Sequence, residues 1–255
     1  MARSLLVLSG GHPYEEEPFE TFIHSLGDWD ATHLVHPEAE DAVAKGAADE
    51  ADALLFYDMA GYNFADGAVA SCPPSEGFKA ALTRRFGAGK GAVAMHHALA
   101  GWAEWPEWHQ WLGGQFHYQP GSPGPDSGYR HDVAYTAQVL ANHPVTQGVP
   151  KSFPVTDELY LCPIDEAAIT PLIRAEGFAF TCDNFYSAAN AVAGEMFSCQ
   201  DWEHPPGSSF VGWETRAETA PLVYLQFGDG PETYANPHVR QIIANALNYT
   251  AGEQP

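Results

Sequence analysis

The chain has 255 residues, with 33 acidic against 11 basic side chains and a formal net charge of −22. At 45% hydrophobic residues it can fill one substantial core. A nucleic-acid binder needs a basic stripe and an anionic membrane surface needs basic clusters, so both classes of partner are excluded.

No run of about 18 apolar residues occurs, so no transmembrane helix is expected. The apolar run 5–8 that follows Met1-Ala2-Arg3 is too short for the core of a secretory signal. Cys72, Cys162, Cys182 and Cys199 are scattered without C-x-x-C spacing and read as reduced thiols of a cytoplasmic protein.

In chain order, residues 4–9 (SLLVLS) read as a buried strand stopped by Gly10-Gly11. Pro18 is expected to open a helix, with Phe19, Phe22, Ile23 and Leu26 on its core face. Residues 32–35 form a second strand, 38–48 an acidic, Ala-rich helix, and 53–57 a third strand ending at Asp58. Residues 59–74 are rich in Gly, Ala and Pro and read as loop. Ser75 caps a helix carrying Phe78, Leu82 and Phe86. A fourth strand then runs into Met95-His96-His97. This alternation is that of a doubly wound, mainly parallel α/β sheet.

Trp102, Trp105, Trp108 and Trp111 recur every three residues up to Gly113-Gly114. Such a stripe packs a core or a subunit interface, and Trp102, closest to the His-His turn, could wall a sugar ring. Residues 116–126 read as loop, 131–140 as β structure, 142–146 as a turn, 156–161 (TDELYL) as a short helix or turn, and 171–174 as a strand. Asp157-Glu158 would then either cap a helix or serve a site. Residues 177–207 show no period and suggest an insertion over the site; 209–214 and 222–227 are late strands. Asn236 caps a final helix, with Pro237 at its first position and Val239, Ile242, Ile243, Ala246 and Leu247 as its buried stripe. One domain, 1–255, with loop insertions accounts for the whole.

Parallel strands deliver their carboxyl ends to one edge, so His12, Asp58 and His96 are expected to converge there. The Met95-His96 turn holds the position of a nucleophile elbow, yet with His instead of Ser or Cys and without G-x-S-x-G, so acyl-enzyme chemistry is disfavoured. A histidine there suits acid/base work, with Asp58 to orient it. Metal binding is the competing use. His12, His96, His97, His131, His143, Asp58, Asp157 and Glu158 are available, without a compact motif such as H-E-x-x-H.

The motifs Leu6-Val7-Leu8-Ser9-Gly10-Gly11-His12, Phe56-Tyr57-Asp58-Met59, Met95-His96-His97-Ala98-Leu99, Trp105 through Gly113-Gly114, Asn142-His143-Pro144-Val145-Thr146, Asp157-Glu158-Leu159-Tyr160, and Asn236-Pro237 with Asn245-Ala246 span nearly the whole chain. Together the chain resembles the trehalose-utilisation, or ThuA-like, family. The resemblance implies a flavodoxin-like fold akin to class I glutamine amidotransferases without their catalytic cysteine. It also implies a role in sugar catabolism on a carbohydrate or 3-keto glycoside made by a partner dehydrogenase. Many members carry Gly-His after the last strand; here Gly228-Asp229-Gly230 stands, and Asp229 either substitutes or only turns the chain.

Strand ends and resemblance together nominate His96, Asp58 and Glu158 as catalytic, and Gly11, His12, Tyr57, His97, Trp102, His143, Asp157 and Asp229 as ligand contacts. The expected ligand is a small carbohydrate. No cofactor is expected, a divalent metal being the alternative, and a homodimer is the expected assembly. The alternatives to an enzyme of this kind are a non-catalytic sugar-binding or regulatory protein and a metal-dependent hydrolase.

Overall fold

The computed structural model describes residues 3–120 and 124–252. β1 (Arg3–Gly10) leads through α1 (Glu16–His24) to β2 (Trp29–Val35). α2 (Glu38–Ala44) and α3 (Ala47–Glu50) return the chain to β3 (Ala53–Asp58). A hairpin of β4 (Tyr62–Ala65) and β5 (Ala68–Ser71) precedes α4 (Glu76–Gly87) and β6 (Ala92–Met95). A 3-10 turn over His96–Leu99 and α5 (Pro106–Leu112) follow. The second half runs β7 (Gly128–Val139), β8 (Ser152–Leu161), β9 (Thr170–Glu176), β10 (Tyr186–Ser187) and α6 (Ala188–Val192). It closes with β11 (Phe210–Ala217), β12 (Ala220–Leu225), α7 (Pro231–Ala235) and α8 (Pro237–Thr250).

Apart from the two-stranded β4–β5 hairpin, the described strands form one sheet in the order β10-β7-β9-β11-β12-β6-β3-β1-β2, with β8 on the other edge of β7. β2, β1, β3, β6 and β12 are mutually parallel. Counted among themselves they follow the 2-1-3-4-5 order of a flavodoxin-like sheet. β11, β9, β7, β8 and β10 extend it in antiparallel fashion.

Side chains alternate between two cores. Leu6, Leu8, Leu54 and Phe56 face α2 and α4 through Val43, Phe78, Leu82 and Phe86, while Leu5, Val7, Leu55 and Val93 face α1 and α8 through Phe19, Phe22, Ile242 and Leu247. Both faces are covered, so these strands read as unbroken apolar runs. Arg85, fully buried on α4, donates to the carbonyls of Ala48, Ala51 and Gly91 and so ties α3 to the start of β6.

The capping chemistry follows the sequence. Ser75 Oγ accepts from Phe78 N at 3.3 Å, and Asn236 Oδ1 from His238 N at 3.0 Å. Several expectations need correction. α1 begins at Glu16, with Pro18 inside its first turn. The helix expected over 38–48 is broken at Gly46, which sits at φ 109°. The expected loop 59–74 contains the β4–β5 hairpin, and the expected loop 116–126 lies partly outside the described residues. Residues 156–161 are the end of the ten-residue strand β8. Their pairing with β7, from Thr156↔Ala134 to Leu161↔Gly128, overrides the helical bias of Glu and Leu. Asp157 and Glu158 therefore cap no helix. Among the described residues no helix is long and apolar enough to cross a membrane.

Candidate functional site

The carboxyl ends of β1, β3, β6 and β12 meet on one edge of the sheet, and β7 and β8 bring their ends to the same place. His96 follows β6 with φ 49°, a left-handed conformation that a β-carbon tolerates poorly and that marks a constrained turn. Its Nδ1–H donates to the Gln226 carbonyl at 2.8 Å. That fixes the ring and aims Nε2 at Glu158 Oε2 (3.2 Å), the Tyr160 hydroxyl (3.0 Å) and Asp229 Oδ1 (3.8 Å). Burial opposes a charge on His96, but the hydrogen bond and negative charge of Glu158, with Asp157 and Asp229 behind it, outweigh burial and lift its pKa to about 9. At neutral pH the ring is an imidazolium under the site floor.

His131 approaches Glu158 from the other side. Its Nδ1 lies 3.5 Å from Glu158 Oε1 and 3.5 Å from Asp229 Oδ2. The Asp229 hydrogen bond raises the His131 pKa against partial burial. Burial pushes the Asp229 carboxyl up, but the His131 hydrogen bond and the His96 and His131 charges bring it down overall. A bulge puts His131 in place. The β7–β8 register shifts between Arg130 and Val133, and Asp132 adopts φ 55°. Bulges re-aim a side chain in this way beside active sites.

A cavity of about 430 Å³ opens against this cluster. His12, His97, His131, Glu158 and Tyr160 give its polar wall. His96, 1% exposed, does not line it and acts from behind Glu158. His12 stacks on His97 with centroids 4.6 Å apart. Burial, reinforced by neighbouring histidines, lowers the pKa of both, so they are neutral at pH 7. His97 Nε2 donates to the Tyr57 carbonyl at 3.1 Å.

Other nominated residues serve as supports. Asp157 points away from Glu158, as successive strand residues do. Its carboxylate accepts from Gly228 N (3.0 Å) and Asp229 N (2.9 Å), fixing the turn that carries Asp229, while burial raises its pKa to about 6. The Tyr57 hydroxyl holds the same turn, donating to the Gly228 carbonyl at 2.7 Å. Gly11 sits at φ 80°, and a Cβ there would lie 2.1 Å from the Met59 carbonyl oxygen. Gly11→Ala is expected to cost about 2 kcal/mol or more. Chemical denaturation checks this, and a midpoint unchanged from wild type would show that the turn relaxes freely.

Besides His96, Tyr57, Asp157 and Asp229, three further nominations lie outside the cavity lining. Asp58 was expected to orient His96; instead its Oδ2 pairs with His36 Nε2 at 2.9 Å, and the Gln226 carbonyl orients His96. Trp102 is 2% exposed and packs on Phe78 and His36, so it walls no sugar. His143 lies 3.2 Å from Glu214 and against Tyr249, outside the cavity lining. Tyr160 and the aim of His131 were not foreseen. The region 177–207 does cover the site, through Ala188, Ala191, Val192 and Met196.

Ser9, His33 and Glu20 also form a hydrogen-bonded chain, with Ser9 Oγ 2.6 Å from His33 Nε2 and His33 Nδ1 on Glu20. Ser9 is wholly buried and held by the Tyr14 hydroxyl at 2.9 Å. It lacks the access a nucleophile needs and anchors the segment that carries His12.

The sequence matches the model of a family described as trehalose utilisation over residues 5–250. The fold is similar to that of a ThuA-like protein from Parabacteroides merdae, with TM-score 0.69 and 14% identity over 99% of this chain and 91% of that one. It is also similar to a ThuA-like protein from Bacteroides uniformis, with TM-score 0.60 and 17% identity over 97% and 91%. A third likeness is to a protein from Thermoplasma acidophilum assigned to GMP synthase, with TM-score 0.52 and 11% identity over 98% and 95%. A search of curated proteins finds no match.

Proposed function

We propose, from the premise that this chain belongs to the trehalose-utilisation (ThuA) family, that it is an enzyme of sugar catabolism that cleaves 3-keto glycosides by proton abstraction and elimination. One observation carries the proposal. The Glu158 carboxylate stands at the cavity wall between His96 Nε2 at 3.2 Å and His131 Nδ1 at 3.5 Å. That is a base flanked by two proton-bearing rings.

A ketone at C3 acidifies the hydrogen on C2. Glu158 takes that proton, the C2–H bond breaks, and its electron pair moves into the C3 oxygen as an enolate. Collapse of the enolate breaks the C1–O bond, and His131 protonates the departing oxygen. Water then adds at C1, leaving its proton on His131, while Glu158, whose proton has exchanged with solvent in the open cavity, delivers one to C2. The net reaction is hydrolysis and needs no oxidant. His96 keeps a positive charge behind Glu158, and neutral His12 is placed to contact the sugar.

The test is turnover of a 3-keto glucoside in D2O, followed by NMR. Deuterium is expected at C2 of the released sugar. Release without incorporation would rule out elimination.

A second reading rests on the donor set. His96 Nε2 and a carboxylate oxygen each from Glu158 and Asp229 lie within 4.8 Å of one another, which suits a divalent cation. Metal analysis and a chelator separate the two readings. Turnover unchanged in EDTA supports the metal-free scheme, whereas loss of turnover restored by one metal would assign these residues as its ligands.

A further inference from the structure

The cavity has two chemically different ends. The sheet edge supplies the polar one. The other is built by the β4–β5 hairpin and α6, which meet where Gly67 packs against Val192 and Ala193, an added Cβ there lying 3.8–3.9 Å from their atoms. The hairpin faces the cavity with Phe64 and Ala68, α6 with Ala191 and Val192, and Met196 just beyond α6 joins them; Asp66 at the hairpin tip is the charged exception. Phe64 and Met196 are 43% and 52% exposed at the mouth. Apolar side chains left open to water at a cavity mouth mark a place where a ligand covers them.

A row of rings connects the two ends. Phe64 meets Tyr118 at 5.2 Å, Tyr118 meets Phe116 at 5.2 Å, Phe116 meets Tyr160 at 4.9 Å, and Tyr160 meets His96 at 5.1 Å. The hydroxyls along this row are already engaged. Tyr118 donates to Met59 Sδ at 3.1 Å, and the Tyr160 hydroxyl is paired with His96 Nε2 at 3.0 Å. A second sugar ring placed against the hairpin and α6 would bury hydroxyls with few side-chain partners, and an unpaired buried polar group is costly. A flat apolar group would lose nothing there and would cover Phe64 and Met196.

We infer that the group leaving from the glycoside is aromatic or otherwise apolar, so that the substrate class is aryl or alkyl 3-keto glycosides and not keto-disaccharides. The inference rests on the function proposed above and specifies the half of its substrate that the reaction does not change.

The test titrates methyl 3-keto-glucoside, phenyl 3-keto-glucoside and 3-keto-trehalose into protein carrying Glu158→Gln, which holds them unconverted, by calorimetry. The phenyl compound is expected to bind about tenfold or more tighter than the methyl compound, and keto-trehalose within about threefold of the methyl compound. Adding Phe64→Ser on the hairpin or Val192→Asn on α6 is expected to erase the phenyl advantage. The two changes are independent, so one suffices if the other fails to fold. Keto-trehalose binding as tightly as the phenyl compound, or a phenyl advantage that survives both changes, would overturn the inference and leave the carbohydrate reading standing. Absence of binding by all three would overturn both.

Discussion

Glu158→Gln is expected to lower turnover of a 3-keto glycoside by about 10²- to 10⁴-fold, the usual worth of a positioned base. The substitution keeps the volume of the side chain and its place on β8, so ligand affinity is expected to stay within about threefold. The fall therefore belongs in kcat. A loss confined to KM would recast Glu158 as a ligand contact and leave His12 as the base facing the cavity. His131→Ala makes the complementary point. If His131 protonates the departing oxygen, its loss hurts glycosides of poorly departing alcohols more than those of phenols.

The second large effect concerns stability against pH. His96 has a pKa of about 9 in the folded protein and about 6.5 when exposed. A raised pKa means that the folded state holds the proton more tightly. The stabilisation is complete below pH 6.5 and is lost as pH climbs through 9. Its size is on the order of 3 kcal/mol, a fall in Tm of about 6–12 °C for a chain of this length. In Glu158→Gln the imidazolium loses its counter-charge while its burial remains, so most of this slope is expected to vanish. Melting curves from pH 6 to 10 with a chelator present measure both. Equal slopes in the two proteins would show that the Glu158–His96 pair contributes no net stability. Asp157 also titrates, but its pKa is raised only to about 6, so its stability change falls between about pH 4 and 6, below this window.

The parallel half of the sheet was legible because its strands are covered on both faces, which leaves unbroken runs such as Ala53–Asp58. The His96 elbow was legible for a related reason, since a strand that stops at two histidines on that edge has few other places to put them. The antiparallel half hid more. The strand end at 156–161 carries Asp, Glu and Leu in an order that suits a helix, and only its partner β7 makes it a strand. Without that pairing the sequence points to Glu158 but carries no sign of its geometry. The bulge that turns His131 toward Glu158 inserts a residue into a pairing that the sequence does not display. Asp58 was placed correctly at its strand end, but the nearness of His36, after β2, depends on how two loops fold over that end. The spacing of the tryptophans gave no sign that Trp102 would turn inward at φ 56°.

The seam between the two halves of the sheet bears on how such a protein can change. His12, His96 and His97 come from the parallel half, Glu158 and His131 from the antiparallel extension, and the apolar wall from two excursions, β4–β5 and α6, that belong to neither set of strands. The groups proposed to react are set by strand register, which tolerates little drift. The wall is set by surface loops, which tolerate a great deal. Under the proposed reaction, new leaving groups are accommodated by rewriting the hairpin and the segment around α6, while the residues held by the strands stay where they are.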